Sequence, residues 1–228
     1  MRILLCLLVV AGTTMALAEL LTPAVGDAAA RVTAVDASHH SYPVNVASTD
    51  KIAIATVAAE DERFYSHHGI DTLGLLRAAW GGLTGVDRGG STLDQQLAKN
   101  LYTNGQTGFL SRISQVAIAL KLEGHYTKTA ILSMYVDAVY YGHGYYGITA
   151  ASLGYFGVTV PQLSWPEAAL LAGLPQAPSL LDPYHNLSLA KQRQQYVLSR
   201  LVATGKLTQA AADTAAHAPL VLQSVQGR

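Results

Sequence analysis

Leu93, Leu97 and Leu101 recur every four residues directly behind the turn Gly89-Gly90-Ser91-Thr92. That stripe predicts an α-helix with one buried face. Ser91 or Thr92 caps it, with Asp94 and Gln95 placed three residues on as reciprocal partners. The opposite stripe carries Gln96, Lys99 and Asn100, with Gln95 one step round. Exposed helices usually present Glu and Lys there, whereas carboxamides and hydroxyls both donate and accept hydrogen bonds without carrying charge. Lys99 adds one positive charge, and the helix start adds free N–H groups suited to an anion. Such a face suits recognition of a sugar or a phosphate.

Further helical patterns follow and no convincing alternating strand interrupts them, so the fold is expected to be mainly α. A mostly buried helix begins near Thr49 and ends at Glu60, with Ser48, Thr49 or Asp50 as its cap. Ile113, Val116, Ala117 and Leu120 mark an apolar stripe on another. Thr127 caps a third, and Ser164 with Pro166 opens a fourth. Lys191, Arg193 and Arg200 sit on a basic amphipathic helix over 189–202. Thr72 to Leu83, with a single charge, is either a core helix or an amphipathic piece leaning on lipid. Tyr102 to Ser111 contains Gly105 and Gly108 and is expected to form a mobile lid.

The 228 residues have room for one domain plus an anchor, or at most two small domains, and half of them are apolar, enough for a substantial core. Zero formal net charge argues against nucleic acid as a partner. A single cysteine, Cys6, leaves cysteine usage silent on redox compartment. Residues 3–18 lack any charge; Ala16-Leu17-Ala18 fits a signal-peptidase site, and continuation through Val25 gives a marginal spanning helix. Both readings place the rest of the chain outside the cytoplasm. The expected boundaries are a leader over 1–25, a linker over 26–48, a domain over 49–207 and an uninformative tail over 208–228.

Glu60-Asp61-Glu62 puts three of only 15 acidic residues together behind an apolar helix. An acid at the end of a buried helix is costly unless it has a role. Taken in isolation, a surface carboxylate paired with Arg63 is the plain reading. Glu60, Asp61, Phe64, His67, Gly69 and Asp71, followed by Gly89 to Asn100, resemble the first two motifs of the peptidoglycan glycosyltransferases. That family comprises monofunctional transglycosylases and the transglycosylase domains of class A penicillin-binding proteins. Tyr126 to Asp137 and Gly142 to Gly157 are similar to two later motifs, and the resemblance covers about 51–206.

The resemblance implies a lysozyme-like domain with a smaller membrane-facing lobe, preceded by an apolar helix, at the outer face of a bacterial cytoplasmic membrane. The implied reaction polymerises lipid II into β-1,4-linked glycan strands with release of undecaprenyl diphosphate. The implied partners are lipid II, the growing strand, membrane lipid and other cell-wall synthesis proteins. Glu60 is the implied base. Asp61, Phe64, His67, Ser91, Thr92, Gln95, Gln96, Lys99, Asn100 and Arg112 are the implied substrate contacts. A divalent cation, Mg2+ or Mn2+, is implied without a certain ligand set. The second catalytic glutamate of the family falls on Gln115, which keeps the shape and loses the charge; Gln115→Glu is therefore expected to raise turnover. Glu123, two turns on, substitutes only in a rearranged cleft. Asp137 replaces a usual asparagine, which reads as a mild change. The Gln115 substitution keeps a rival open, a slow or inactive module that binds the same ligand. A lytic glycosidase fits the amide-rich face less well. Ser188 and Lys191 match a penicillin-reactive box only by its short spacing, and no companion box accompanies them.

Overall fold

A computed structural model describes residues 12–15, 17–39, 41–76 and 90–224. Besides helical residues at 12–15, 17–21 and 72–76, the described residues form α1 (Ala28–Ser38), α2 (Lys51–Glu60), α3 (Leu93–Tyr102), α4 (Phe109–His125), α5 (Lys128–Ala138), α6 (Ile148–Phe156), α7 (Trp165–Gly173), α8 (Pro183–Ala203) and α9 (Gln209–His217). Short 3-10 turns lie at Phe64–Ser66, Val160–Gln162 and Leu174–Gln176. No strand occurs among the described residues beyond two isolated bridges. The mainly α expectation holds.

α2 is the central element. It packs against α7 and α8, and its Ile52, Ala53 and Ala55 are fully buried. Alanines on one side allow α7 and α8 to approach closely, and this brings the helix end at Glu60 under α8. α3 packs on α4 and α5 through Leu93, Leu97 and Leu101, the stripe read from spacing. Thr92 accepts from Gln95 N while the Gln95 side chain accepts from Thr92 N, a complete capping box. Thr127 caps α5, and Ser164 with Glu167 boxes α7 around Pro166.

Three expectations change. Residues 26–48, read as a linker, contain α1, which buries Ala28, Val32 and Asp36 against α5. Its small side chains give too weak a stripe to be read from sequence, yet they suit close packing. The following segment is pinned as well: Val46 N donates to Ser133 Oγ at 2.8 Å, and Ser133 Oγ donates to Val44 O at 3.0 Å. The tail from Thr208 forms α9 against α8, and Gln223 N then donates to Tyr155 O at 2.8 Å.

On α4 the buried face is Gln115, Ala117, Ile118, Ala119 and Leu122, while Leu120 is exposed. The stripe read from Ile113, Val116, Ala117 and Leu120 misplaced it, because two alanines and Gln115 share the buried face with Ile118 and Leu122. The helix expected over 72–83 is described only at 72–76, and the rest lies outside the described residues. The leader likewise lies largely outside, with 12–15 and 17–21 helical. Among the described residues no helix is long and apolar enough to cross a membrane.

Candidate active site

Glu60, the last residue of α2, is bound on both carboxylate oxygens. Its Oε1 accepts from Arg193 Nη2 at 2.8 Å and its Oε2 from Gln96 Nε2 at 3.2 Å. Gln96 Oε1 accepts in turn from Tyr135 Oη at 3.0 Å. Glu60 and Arg193 side chains are each 14% exposed, so the pair is partly open to solvent rather than sealed in the core. Arg193 is itself placed by a 3.3 Å bond to Gly173 O and by stacking over the Tyr196 ring at 4.5 Å. Burial first, and the nearby Glu60 charge second, push the Tyr135 hydroxyl well above the ordinary tyrosine range. It therefore stays a neutral donor that orients Gln96.

Arg193 was legible in sequence only as one cation of a basic helix, 133 residues away from Glu60. Arg63, its apparent neighbour, pairs with Asp71 at 3.3 Å instead. Tyr135 stood inside a motif without a role. A tyrosine among Ile131, Leu132, Met134 and Val136 is the signal that marks it, since a buried hydroxyl needs a partner.

Lys99 and Asn100 lie one turn beyond Gln96 on the same side of α3. Both are half-buried, and their side chains make no hydrogen bond or ion pair among the described residues. Ser91 and Arg112 are exposed and equally uncommitted. These four are available to a ligand.

Five other residues expected to touch substrate are turned into a frame. Asp61 Oδ2 accepts from Leu93 N at 3.0 Å and lies 2.9 Å from His67 Nε2, all of it buried. Phe64 is fully buried beneath Lys128, whose Nζ sits 4.4 Å over its ring. Thr92 Oγ1 donates to Gly69 O at 2.7 Å, and Gln95 closes the capping box. Gly69 is required by its φ of +77° and by Ala119 O, which lies 3.0 Å from where a Cβ would stand. This frame fixes the end of α2 against the start of α3, and so sets Glu60 opposite Gln96.

Beneath it Lys128 pairs with Glu123 at 2.7 Å and Asp94 at 3.5 Å. Burial drives the Asp94 carboxyl up to about 7 against the pull of Lys128. Glu123 is thus committed to this cluster, which removes it as a stand-in for a second catalytic carboxylate.

Gln115 is buried, and its Nε2 donates to Gln106 O at 2.7 Å and to Thr103 Oγ1 at 2.9 Å. Gln106 O only accepts, so an N–H must face it. The amide therefore ties down the 103–108 turn, the segment read as a lid. Glutamate has no proton to donate there and would set a carboxylate against a carbonyl. Gln115→Glu is consequently expected to destabilise the protein by about 1–3 kcal/mol, the penalty for a lost buried hydrogen bond. A thermal melt at neutral pH reads it as a fall in Tm of several degrees. The donor set around Glu60 does not fit a resident divalent cation: its one carboxylate is already compensated by Arg193, and position 115 offers a committed amide.

This arrangement, a carboxylate braced by Arg193 and by Gln96 of a helix that also carries Lys99 and Asn100, matches what a sugar-transfer site needs. The sequence profile of the family described as transglycosylase matches residues 29–202. The chain belongs to that family. It is 39% identical over 170 residues to a putative transglycosylase of Cupriavidus necator, covering 74% of each chain. It is 41% identical over 157 residues to penicillin-binding protein 1A of Escherichia coli, with 68% of this chain and 18% of that protein covered. Penicillin-binding protein 1A of Neisseria flavescens is 41% identical over 156 residues, with 68% and 20% covered. The chain thus spans about a fifth of the length of the penicillin-binding relatives it matches.

Proposed function

We propose that this chain polymerises lipid II into β-1,4-linked glycan strands, releasing undecaprenyl diphosphate, without a transpeptidase step. The observation that carries the reading is the Glu60 carboxylate, oriented by Gln96 and Arg193 beside the uncommitted side chains of Lys99 and Asn100. The acceptor 4-hydroxyl oxygen attacks the donor's anomeric carbon while Glu60 takes the hydroxyl proton. The bond from that carbon to the diphosphate oxygen breaks, the leaving diphosphate keeps its electron pair, and the anomeric centre inverts.

Lys99 and Arg112 offset the charge of the departing diphosphate. Ser91, Gln96 and Asn100 position the two saccharides. General-base transfer of this kind contributes about 10²–10⁴-fold. The reaction takes place at the outer face of a bacterial cytoplasmic membrane, where a lipid-linked substrate lies. Exposed Leu20, Leu21, Leu76, Phe109 and Leu110 are the kind of surface that contacts lipid. Other cell-wall synthesis proteins are the expected partners.

The test is incubation of purified protein with labelled precursor in detergent, followed by electrophoresis of the product. Long strands are expected. Shortening of added strands points to a lytic enzyme and overturns the proposal. A second reading rests on one observation, the neutral Gln115 committed to a turn: binding of lipid II without turnover. It predicts that precursor is bound and recovered intact.

A further inference from the structure

Two groups of side chains among the described residues bring three potential metal-ligand atoms within 4.8 Å of one another: Asp61, His67 and Asp94, and His143, Asp182 and His185. They differ in what supplies positive charge. In the first, the Lys128 ammonium stands 3.5 Å from both Asp94 and His67 Nδ1, so a cation is built into the chain. In the second, the side chains paired with Asp182 among the described residues are two imidazoles, and its other oxygen takes a backbone N–H. Its side chain is 7% exposed, and a carboxylate so placed is costly without a compensating charge.

We propose that His143 Nδ1, Asp182 Oδ2 and His185 Nδ1 bind a divalent transition-metal ion of the zinc class, separate from the glycan site. The two nitrogens lie 3.1 and 2.9 Å from the same carboxylate oxygen. Ligands about 2.0–2.1 Å from a shared metal stand about 3.0–3.4 Å apart, so slight side-chain rotation admits the ion. Each element is held for this. Asp182 caps α8 with its other oxygen, accepting from Tyr184 N at 2.9 Å, which turns Oδ2 towards the histidines. His143 adopts φ +53° between Gly142 and Gly144, and its ring lies 4.4 Å from that of Tyr184. His185 is 70% exposed, leaving the remaining positions to water. Two imidazoles and one carboxylate suit Zn2+, Co2+ or Ni2+ over Mg2+.

The ion would staple the 142–147 loop to the first turn of α8, the helix that carries Arg193 to Glu60. The alternative is a carboxylate accepting two Nδ1–H bonds and no metal. Tag-free full-length protein, stripped with chelator, separates the two when titrated with Co2+ and then Zn2+. The expected result is one equivalent of Co2+ with visible ligand-field bands, displaced by Zn2+, and a rise in Tm with Zn2+. His143→Ala and His185→Gln each weaken binding by at least about tenfold. Asp182→Asn does the same while keeping an oxygen for the cap. His217→Gln, on exposed α9, leaves binding unchanged. Absence of stoichiometric binding, or equal binding by the three ligand variants, overturns the site. None of these readouts depends on glycan synthesis.

Discussion

Glu60→Gln is expected to lower polymerisation of labelled lipid II by about 10³-fold, while the protein still melts cooperatively. Glutamine has the same shape, and its oxygen still accepts from Arg193. Its N–H is met if the Gln96 amide turns over to accept it and donates to the Tyr135 hydroxyl instead. The fold therefore tolerates it, and Arg193 stays placed by Gly173 O and Tyr196. Glutamine cannot take a proton from a sugar hydroxyl. A catalytic role predicts that turnover falls steeply with little change in binding of the precursor. Residual activity within about tenfold of the parent would remove Glu60 from the base role.

The second large effect concerns stability. Asp137→Asn is expected to raise Tm at pH 8 by about 5 °C or more. Asp137 is buried on α5; Val44 N donates to its Oδ2 at 3.0 Å, and Oδ1 has no hydrogen-bond partner among the described residues. Burial, with the nearby Asp36 charge adding to it, pushes its carboxyl up to about 8. Burial likewise raises Asp36, to about 6.

The sign follows from comparing folded and unfolded chains. The unfolded chain releases this proton near 3.8, whereas the folded one keeps it up to about 8. Stability from this group is complete below the lower value and is lost as pH rises through the upper one. By pH 8 the loss is on the order of several kcal/mol, at about 1.4 kcal/mol per pH unit between the two values. Asparagine keeps the acceptor for Val44 N–H and has no proton to release. The gain in Tm should therefore shrink steadily as pH falls towards 5. An unchanged or lower Tm at pH 8 would contradict a buried, protonated Asp137.

That residue shows where sequence reading stops. Replacement of asparagine by aspartate looks mild in a motif, because burial is not written in the spacing of neighbours. The leucine stripe and caps of α3, and the placement of Glu60 at the end of a buried helix, were legible because they are local. Helical periodicity and a cap four residues long are set by adjacent residues. Glu60's partner was not legible: Arg193 reaches it across the packing of α2 on α8, which no local pattern encodes. The motif residues also divide in a way the motif conceals. Asp61, Phe64, His67, Thr92 and Gln95 hold the frame, and Ser91, Lys99, Asn100 and Arg112 stay open. Local reading failed for α1 and for the buried face of α4, where alanines and a polar side chain share the packing with larger residues. A pattern built on large apolar residues has no view of small ones.

The most direct measurement is stoichiometric: lipid diphosphate released against glycosidic bonds formed, on labelled lipid II, with the unaltered protein. Glu60 activating a sugar hydroxyl predicts one diphosphate released for each bond made. Release without bond formation would mean that water, not a saccharide, is the acceptor. Precursor recovered intact would mean that the cleft binds without reacting. Either result contradicts the account.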